Sequence, residues 1–92
     1  MGAGFERNGV LFVWDVAKAS CNRRKHGVAF EQAAEAFFDP SLRVVQADRN
    51  QQPRDALIGY GTQGRLLFVV HLIIEGETIR IVSALKATAA ER

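Results

Sequence analysis

Residues 65–86 read RLLFVVHLIIEGETIRIVSALK. Two runs rich in β-branched and aromatic residues flank Glu75-Gly76, and such runs favour strands. Arg65–Ile74 is apolar on both of its alternating faces, as expected of a strand inside a sheet. Glu75-Gly76 fits a two-residue hairpin turn, which makes Thr78–Leu85 the return strand. With that turn Ile74 faces Glu77, His71 faces Arg80 and Arg65 faces Lys86. Side chains alternate with a period of two, so Arg65, His71, Arg80 and Lys86 then share one side of the sheet. A three-residue turn instead puts Ile81 and Ser83 on the side of His71 and sends Arg80 to the opposite face. The register of this hairpin decides whether the four residues form one constellation.

Working outward, Leu57–Gly61 and Leu42–Ala47 also have strand character, with a turn at Thr62-Gln63-Gly64 and a polar loop over Asp48–Asp55. Upstream the period becomes helical. Phe30, Ala33, Ala34, Phe37 and Phe38 recur at helical spacing, giving one apolar face that Asp39-Pro40 terminates. Ala29 before it is a poor N-cap. Asp15 can cap an earlier helix that runs to about His26 and stops at Gly27. On that helix Lys18, Asn22 and Lys25 form an entirely polar stripe. Val10–Trp14 is a short strand, residues 1–9 are expected to be flexible, and a short helix is expected from Lys86 onward. The expected fold is α+β: two N-terminal helices packed on an antiparallel sheet of about four strands, in one domain spanning residues 1–92.

The chain has 92 residues, 48% of them hydrophobic, enough for one packed core and against disorder. Leu66–Ile74 is too short to cross a bilayer as a helix, and no secretory signal pattern is visible. Cys21 is the one cysteine, which points to a reducing cytoplasm, and no metal-ligand or cofactor-binding pattern is read. Net charge is only +2, yet four of the twelve lysines and arginines lie between Lys18 and Lys25 without an intervening acid. The segment Asn22-Arg23-Arg24-Lys25-His26-Gly27 has two readings. Cations satisfy the carbonyl end of a helix, and they also bind an anion.

The residue types suit a phosphodiester. Arginine forks hold phosphate and stabilise the charge that builds on a phosphorane, and imidazole exchanges protons near neutral pH. RNA carries its own nucleophile, the 2′-hydroxyl, so a protein that cuts it needs a base, an acid and cations rather than a metal. Plainer readings stand beside these. His71 in an apolar strand is equally a core residue, and Arg65 at a strand end is equally solvated. Arg80 amid Thr78, Ile79, Ile81 and Val82 has to be paired or to serve a ligand. Ser83 has no triad partners, and Gly59, Gly61 and Gly64 precede no helix, so they form no phosphate loop.

Trp14-Asp15, Lys18, Asn22, Lys25-His26-Gly27-Val28, Phe30-Glu31, Ala33 and Phe38-Asp39-Pro40 resemble the N-terminal signature of BrnT toxins. Ile58-Gly59, Arg65–His71, Ile79–Ala84 and Lys86-Ala87 resemble its second block, so the likeness spans about residues 12–88. It implies a RelE-like fold and a metal-independent endoribonuclease that arrests translation as the toxin of a type II toxin–antitoxin pair. It also implies neutralisation by a BrnA-type antitoxin, with operator DNA reached only through that antitoxin, and no membrane association. Arg65, Arg80, His71 and Lys86 are the candidate catalytic residues; Lys18, Arg24, Lys25 and His26 are the candidate RNA contacts. Leu85 stands where the family has an arginine, which implies reduced activity. A non-catalytic module that binds RNA or complexes the antitoxin is the alternative.

Overall fold

The computed structural model describes residues 2–46 and 55–87. In chain order the elements are β1 (Gly2–Arg7), β2 (Val10–Asp15), α1 (Val16–His26), α2 (Phe30–Ala36), β3 (Arg43–Gln46), β4 (Asp55–Tyr60), β5 (Leu66–Ile74) and β6 (Thr78–Lys86). The strands form one six-stranded sheet in the order β1-β2-β6-β5-β4-β3. The α+β class holds, with three differences from the expected layout. The sheet has six strands rather than about four; a strand pair precedes the helices; and β2 pairs with β6 in parallel, so the sheet is mixed.

The extra strand has a local cause. Asn8 and Gly9 both take positive φ (52° and 81°), and Arg7 pairs with Val10 across them. Asn-Gly is the dipeptide that a two-residue primed turn demands, because its twist matches the strands it joins. Gly2–Arg7, expected to be flexible, is thereby an edge strand. The parallel pairing of Phe12 with Ile79 and Val13 with Arg80 has no local signal at all. The loop expected at Asp48–Asp55 lies outside the described residues except for Asp55, as does the helix expected after Lys86. Lys86 itself ends β6.

Both helices lie where the sequence placed them. The Asp15 carboxylate accepts the N–H of Lys18 at 3.1 Å, and Gly27, at φ 69°, donates its N–H to the Arg23 carbonyl at 2.9 Å. Ala29 offers α2 no side-chain acceptor; the Gln32 Oε1 instead takes the Ala29 N–H at 3.1 Å. The α2 face packs Phe30, Ala33 and Ala34 onto Phe12, Trp14, Leu57, Leu67, Val69, Ile81 and Ala84, all buried. Edge-on ring contacts join Trp14 to Phe30 at 5.8 Å and Phe12 to Phe37 at 5.2 Å between centroids. Helix and sheet meet so closely that a Cβ at Gly59 would stand 2.7 Å from the Ala36 carbonyl oxygen.

Helix α1 has no comparable apolar face, and its one buried residue is Asn22. The Asn22 amide donates to the Ala84 carbonyl at 2.7 Å and to the Val28 carbonyl at 3.0 Å, and its Oδ1 accepts the Ala84 N–H at 3.1 Å. An asparagine has two donors and one oxygen acceptor, and each is used here. The side chain thus pairs with Ala84 as a neighbouring strand would, at the point where β2 has already left the sheet to become α1. Asn22→Ala is expected to leave three buried main-chain groups without partners and to cost on the order of 3 kcal/mol. That corresponds to a thermal midpoint lower by roughly 10–20 °C in a domain of this size, measured by circular dichroism.

Candidate functional site

The β5–β6 hairpin takes the longer turn. Ile74 pairs with Thr78 around Glu75–Glu77, with Gly76 and Glu77 both at positive φ (74° and 64°). The register then sets His71 against Ile81 and Leu72 against Arg80. His71 therefore faces the helices and Arg80 the opposite side of the sheet, as the three-residue alternative required. Lys86 pairs with Leu67 rather than with Arg65. The four-residue constellation does not assemble, because the added turn residue reverses the return strand as far as Ile81 and sends Arg80 to the other face, while Lys86, opposite Leu67, keeps the side of His71.

A second irregularity follows. Val70 pairs with Ser83 while His71 pairs with Ile81, so Val82 is an extra residue in β6. This bulge restores the original phase. Arg80 and Leu85, odd-numbered steps apart, consequently lie on the same face, opposite Leu72 and Phe68 respectively. Leu85, opposite half-buried Phe68, is an apolar residue on Arg80's side of the sheet.

The bulge also meets α1. A groove between them is lined by Lys18, Cys21, Asn22, Lys25, His26, Val82 and Ser83, with no acidic side chain among them. Lys18, Lys25 and His26 are exposed, and all of them share the α1 stripe anchored by Asn22. Three of the four residues expected to contact RNA are thus brought together; Arg24 is exposed in the same last turn but does not line this groove. Lys86 lies two residues beyond Ala84 on the same face. Ser83, dismissed as a nucleophile, lines the groove as a polar wall.

On the other flank of α1 an open cleft of ≈ 680 Å³ is lined by Arg23, Gly27, Ala29, Glu31, Gln32, Gln63 and Arg65. One guanidinium nitrogen of Arg65 donates to the Gly27 carbonyl at 3.1 Å and to Gln32 Oε1 at 3.0 Å. Gln32 in turn donates to Gln63 Oε1, and Thr62 to Glu35, which tie the β4–β5 turn to α2. Arg65 is only half exposed, yet its partners are neutral, and no carboxylate pairs with it among the described residues. Arg23 was the residue of the basic run that sequence reasoning left out. Its helical spacing from Ala19 and Ser20, which line the adjoining hollow with it, is the signal that places it here.

His71 belongs to neither site. It is buried, its ring stands edge-on to Phe37 at 4.7 Å, and its Nδ1 lies 3.4 Å from the Val69 carbonyl oxygen. Burial pushes its pKa below the ordinary 6.5, although the Val69 carbonyl and Asp55, its neighbour across β4, act in the opposite sense. The core reading of this residue describes its position.

A small α+β layer with a basic helix end set against a sheet edge is the class of protein these features define. Residues 14–91 match the family described as the ribonuclease toxin, BrnT, of type II toxin–antitoxin systems. The chain belongs to that family, and membership implies an antitoxin partner. No curated protein matches the chain. Among the described residues, no helix is long and apolar enough to cross a membrane.

The depressed pKa of His71 makes a pH dependence. Around and below 6.5 the unfolded chain binds a proton that the folded state resists, so stability rises with pH there. The contribution is complete above the ordinary histidine value and fades as pH falls beneath it. The urea midpoint of the native chain is expected to drop between about pH 7.5 and about pH 5.5, and His71→Leu to flatten that drop.

Proposed function

We propose that the chain is an endoribonuclease that cuts RNA by transesterification and so arrests translation, held in check by a BrnA-type antitoxin. The observation that carries this reading is the row Lys18, Lys25 and His26 along the Ser83 groove, free of acids and open to solvent. In the reaction the 2′-oxygen attacks phosphorus and loses its proton to a base, while the 5′-oxygen leaves and takes a proton from an acid. The product is a 2′,3′-cyclic phosphate. Lys18 and Lys25 hold the phosphates, and a cation beside the pentacoordinate phosphorus stabilises its added charge.

Of the chain's two histidines, His26 is exposed and His71 is buried in the core. We therefore assign proton exchange with RNA to His26. Arg65, bonded to the Gly27 carbonyl at the end of α1, and Lys86, at the end of β6, extend the positive face, with Arg24 on the last turn of the helix. Arg80 lies on the opposite side of the sheet, together with the position of the family arginine, here Leu85. It serves the same RNA as the strand wraps the sheet edge. The helix-on-sheet layer is compatible with a RelE-like fold. The alternative, an RNA-binding or antitoxin-complexing module without catalysis, is favoured by one feature: Leu85 removes a phosphate-binding fork from Arg80's face.

Induction in a bacterium lacking the antitoxin is expected to stop growth and fragment RNA, with cyclic-phosphate ends on the products. His26→Ala is exposed and should leave folding intact while slowing cleavage by about 100-fold or more. Lys25→Ala should weaken RNA binding and reduce its salt slope by about one. Arg80→Ala is expected to cut toxicity far more than stability, and Leu85→Arg to raise activity. Salt-sensitive RNA binding with intact RNA and normal growth would establish the alternative instead.

A further inference from the structure

The cleft under Arg65 does not end at α2. It adjoins a second hollow, of ≈ 410 Å³, between β1 and α1, and the two share Arg23, Ala29 and Glu31. The chemistry changes along this continuous depression. At one end are Arg65, Gln32 and Gln63; at the other Ala3, Phe5, Trp14, Val16 and Ala19 form an apolar floor. Glu31 stands at the junction. It is exposed, and its carboxylate makes no hydrogen bond or ion pair among the described residues, even though two arginines line the same depression. Arg65 likewise keeps donors beyond the two bonds that fix it.

A ligand that satisfies all of this has an anion at one end and a flat apolar body at the other, with hydrogen-bond donors on the edge of that body that faces Glu31. A nucleotide has that form. The carboxylate adds a choice among bases. It accepts two parallel N–H bonds from guanine, whose N1–H and 2-amino group are adjacent, but one at most from the Watson–Crick edge of cytosine, adenine or uracil. Single-stranded RNA is read on such edges while its bases stack on apolar side chains.

We propose that this depression is a guanylate subsite: Arg65 and Arg23 hold a phosphate, the β1–α1 hollow holds the base, and Glu31 selects guanine. The proposal rests on the ribonuclease reading, to which it adds a base preference. It also gives the β1 hairpin, which supplies Ala3 and Phe5, a part in recognition.

The test is titration of the full chain, by calorimetry and amide NMR, with guanosine 3′-monophosphate, cytidine 3′-monophosphate and inorganic phosphate. Trinucleotides with and without one guanine separate a residue within RNA from a free nucleotide. Guanosine monophosphate is expected to bind about tenfold or more tightly than the cytidine compound, the gain expected of one bidentate base contact. Shifts should centre on Phe5, Ala29, Glu31 and Gln63. Glu31→Gln, an exposed change whose fold is checked by thermal midpoint, should abolish that preference and leave phosphate binding unchanged. Arg65→Ala should weaken all three ligands, with Arg23→Ala as the variant that spares the Gly27 and Gln32 bonds. Equal binding of the two nucleotides, or shifts confined to Lys18, Lys25 and Ser83, overturns the subsite. Guanine-selective binding without RNA cleavage keeps the subsite and overturns the ribonuclease reading. Cleavage that Glu31→Gln leaves unselective and unchanged does the reverse.

Discussion

The insertion of one side-chain amide into a sheet edge holds this molecule together. Strand β2 accompanies β6 through only two pairs before the chain turns into α1, and Ala84 is left beside a helix. Buried main-chain groups without partners are costly. Asn22 answers both groups of Ala84 and also the Val28 carbonyl that follows the helix. Helix α1 is thereby fixed in height and rotation by hydrogen bonds, whereas α2 is fixed by apolar burial. No aspartate could substitute, since the carbonyls require N–H donors.

This mode of attachment has an electrostatic consequence. A helix held by an apolar stripe turns its charges to solvent on the far side, away from the sheet. Here the stripe that meets β6 is itself polar, so Lys18 and Lys25 flank the anchor and lie along the sheet edge. The helix C-terminus tolerates this density of cations because its free carbonyls carry partial negative charge. The run from Arg23 to His26 therefore suits the helix end and also supplies two depressions, with Lys25 and His26 on the β6 side and Arg23 on the α2 side.

Two single-residue departures from regular geometry in one hairpin set which side chains share a face. The extra turn residue sends Arg80 away from His71, and the extra residue at Val82 brings position 85 to Arg80's side. Each alone would give a different surface. Together they leave His71 edge-on to the Phe37 ring, where desolvation lowers its pKa, and they put the apolar Leu85 on the same far face of β5 and β6 as Arg80.

The sequence by itself determined what local chemistry controls. Asp15 and Gly27 bounded α1, the Phe30–Phe38 spacing oriented α2, and β-branched and aromatic runs marked β5 and β6. The family signature was legible for the same reason, since it lies in contiguous blocks. Asn8-Gly9 carried a hairpin signal just as local, although the strand before it, rich in small residues, gave no apolar run to draw attention. Tertiary structure alone decided the parallel β2–β6 pairing, the phase of the hairpin and the burial of Asn22. Those depend on partners as distant in sequence as Phe12 and Ile79 or Asn22 and Ala84. A polar stripe looks the same in sequence whether water or a strand edge satisfies it, and a turn of two or three residues differs locally by little yet reverses the side chains that follow it until a bulge restores the phase.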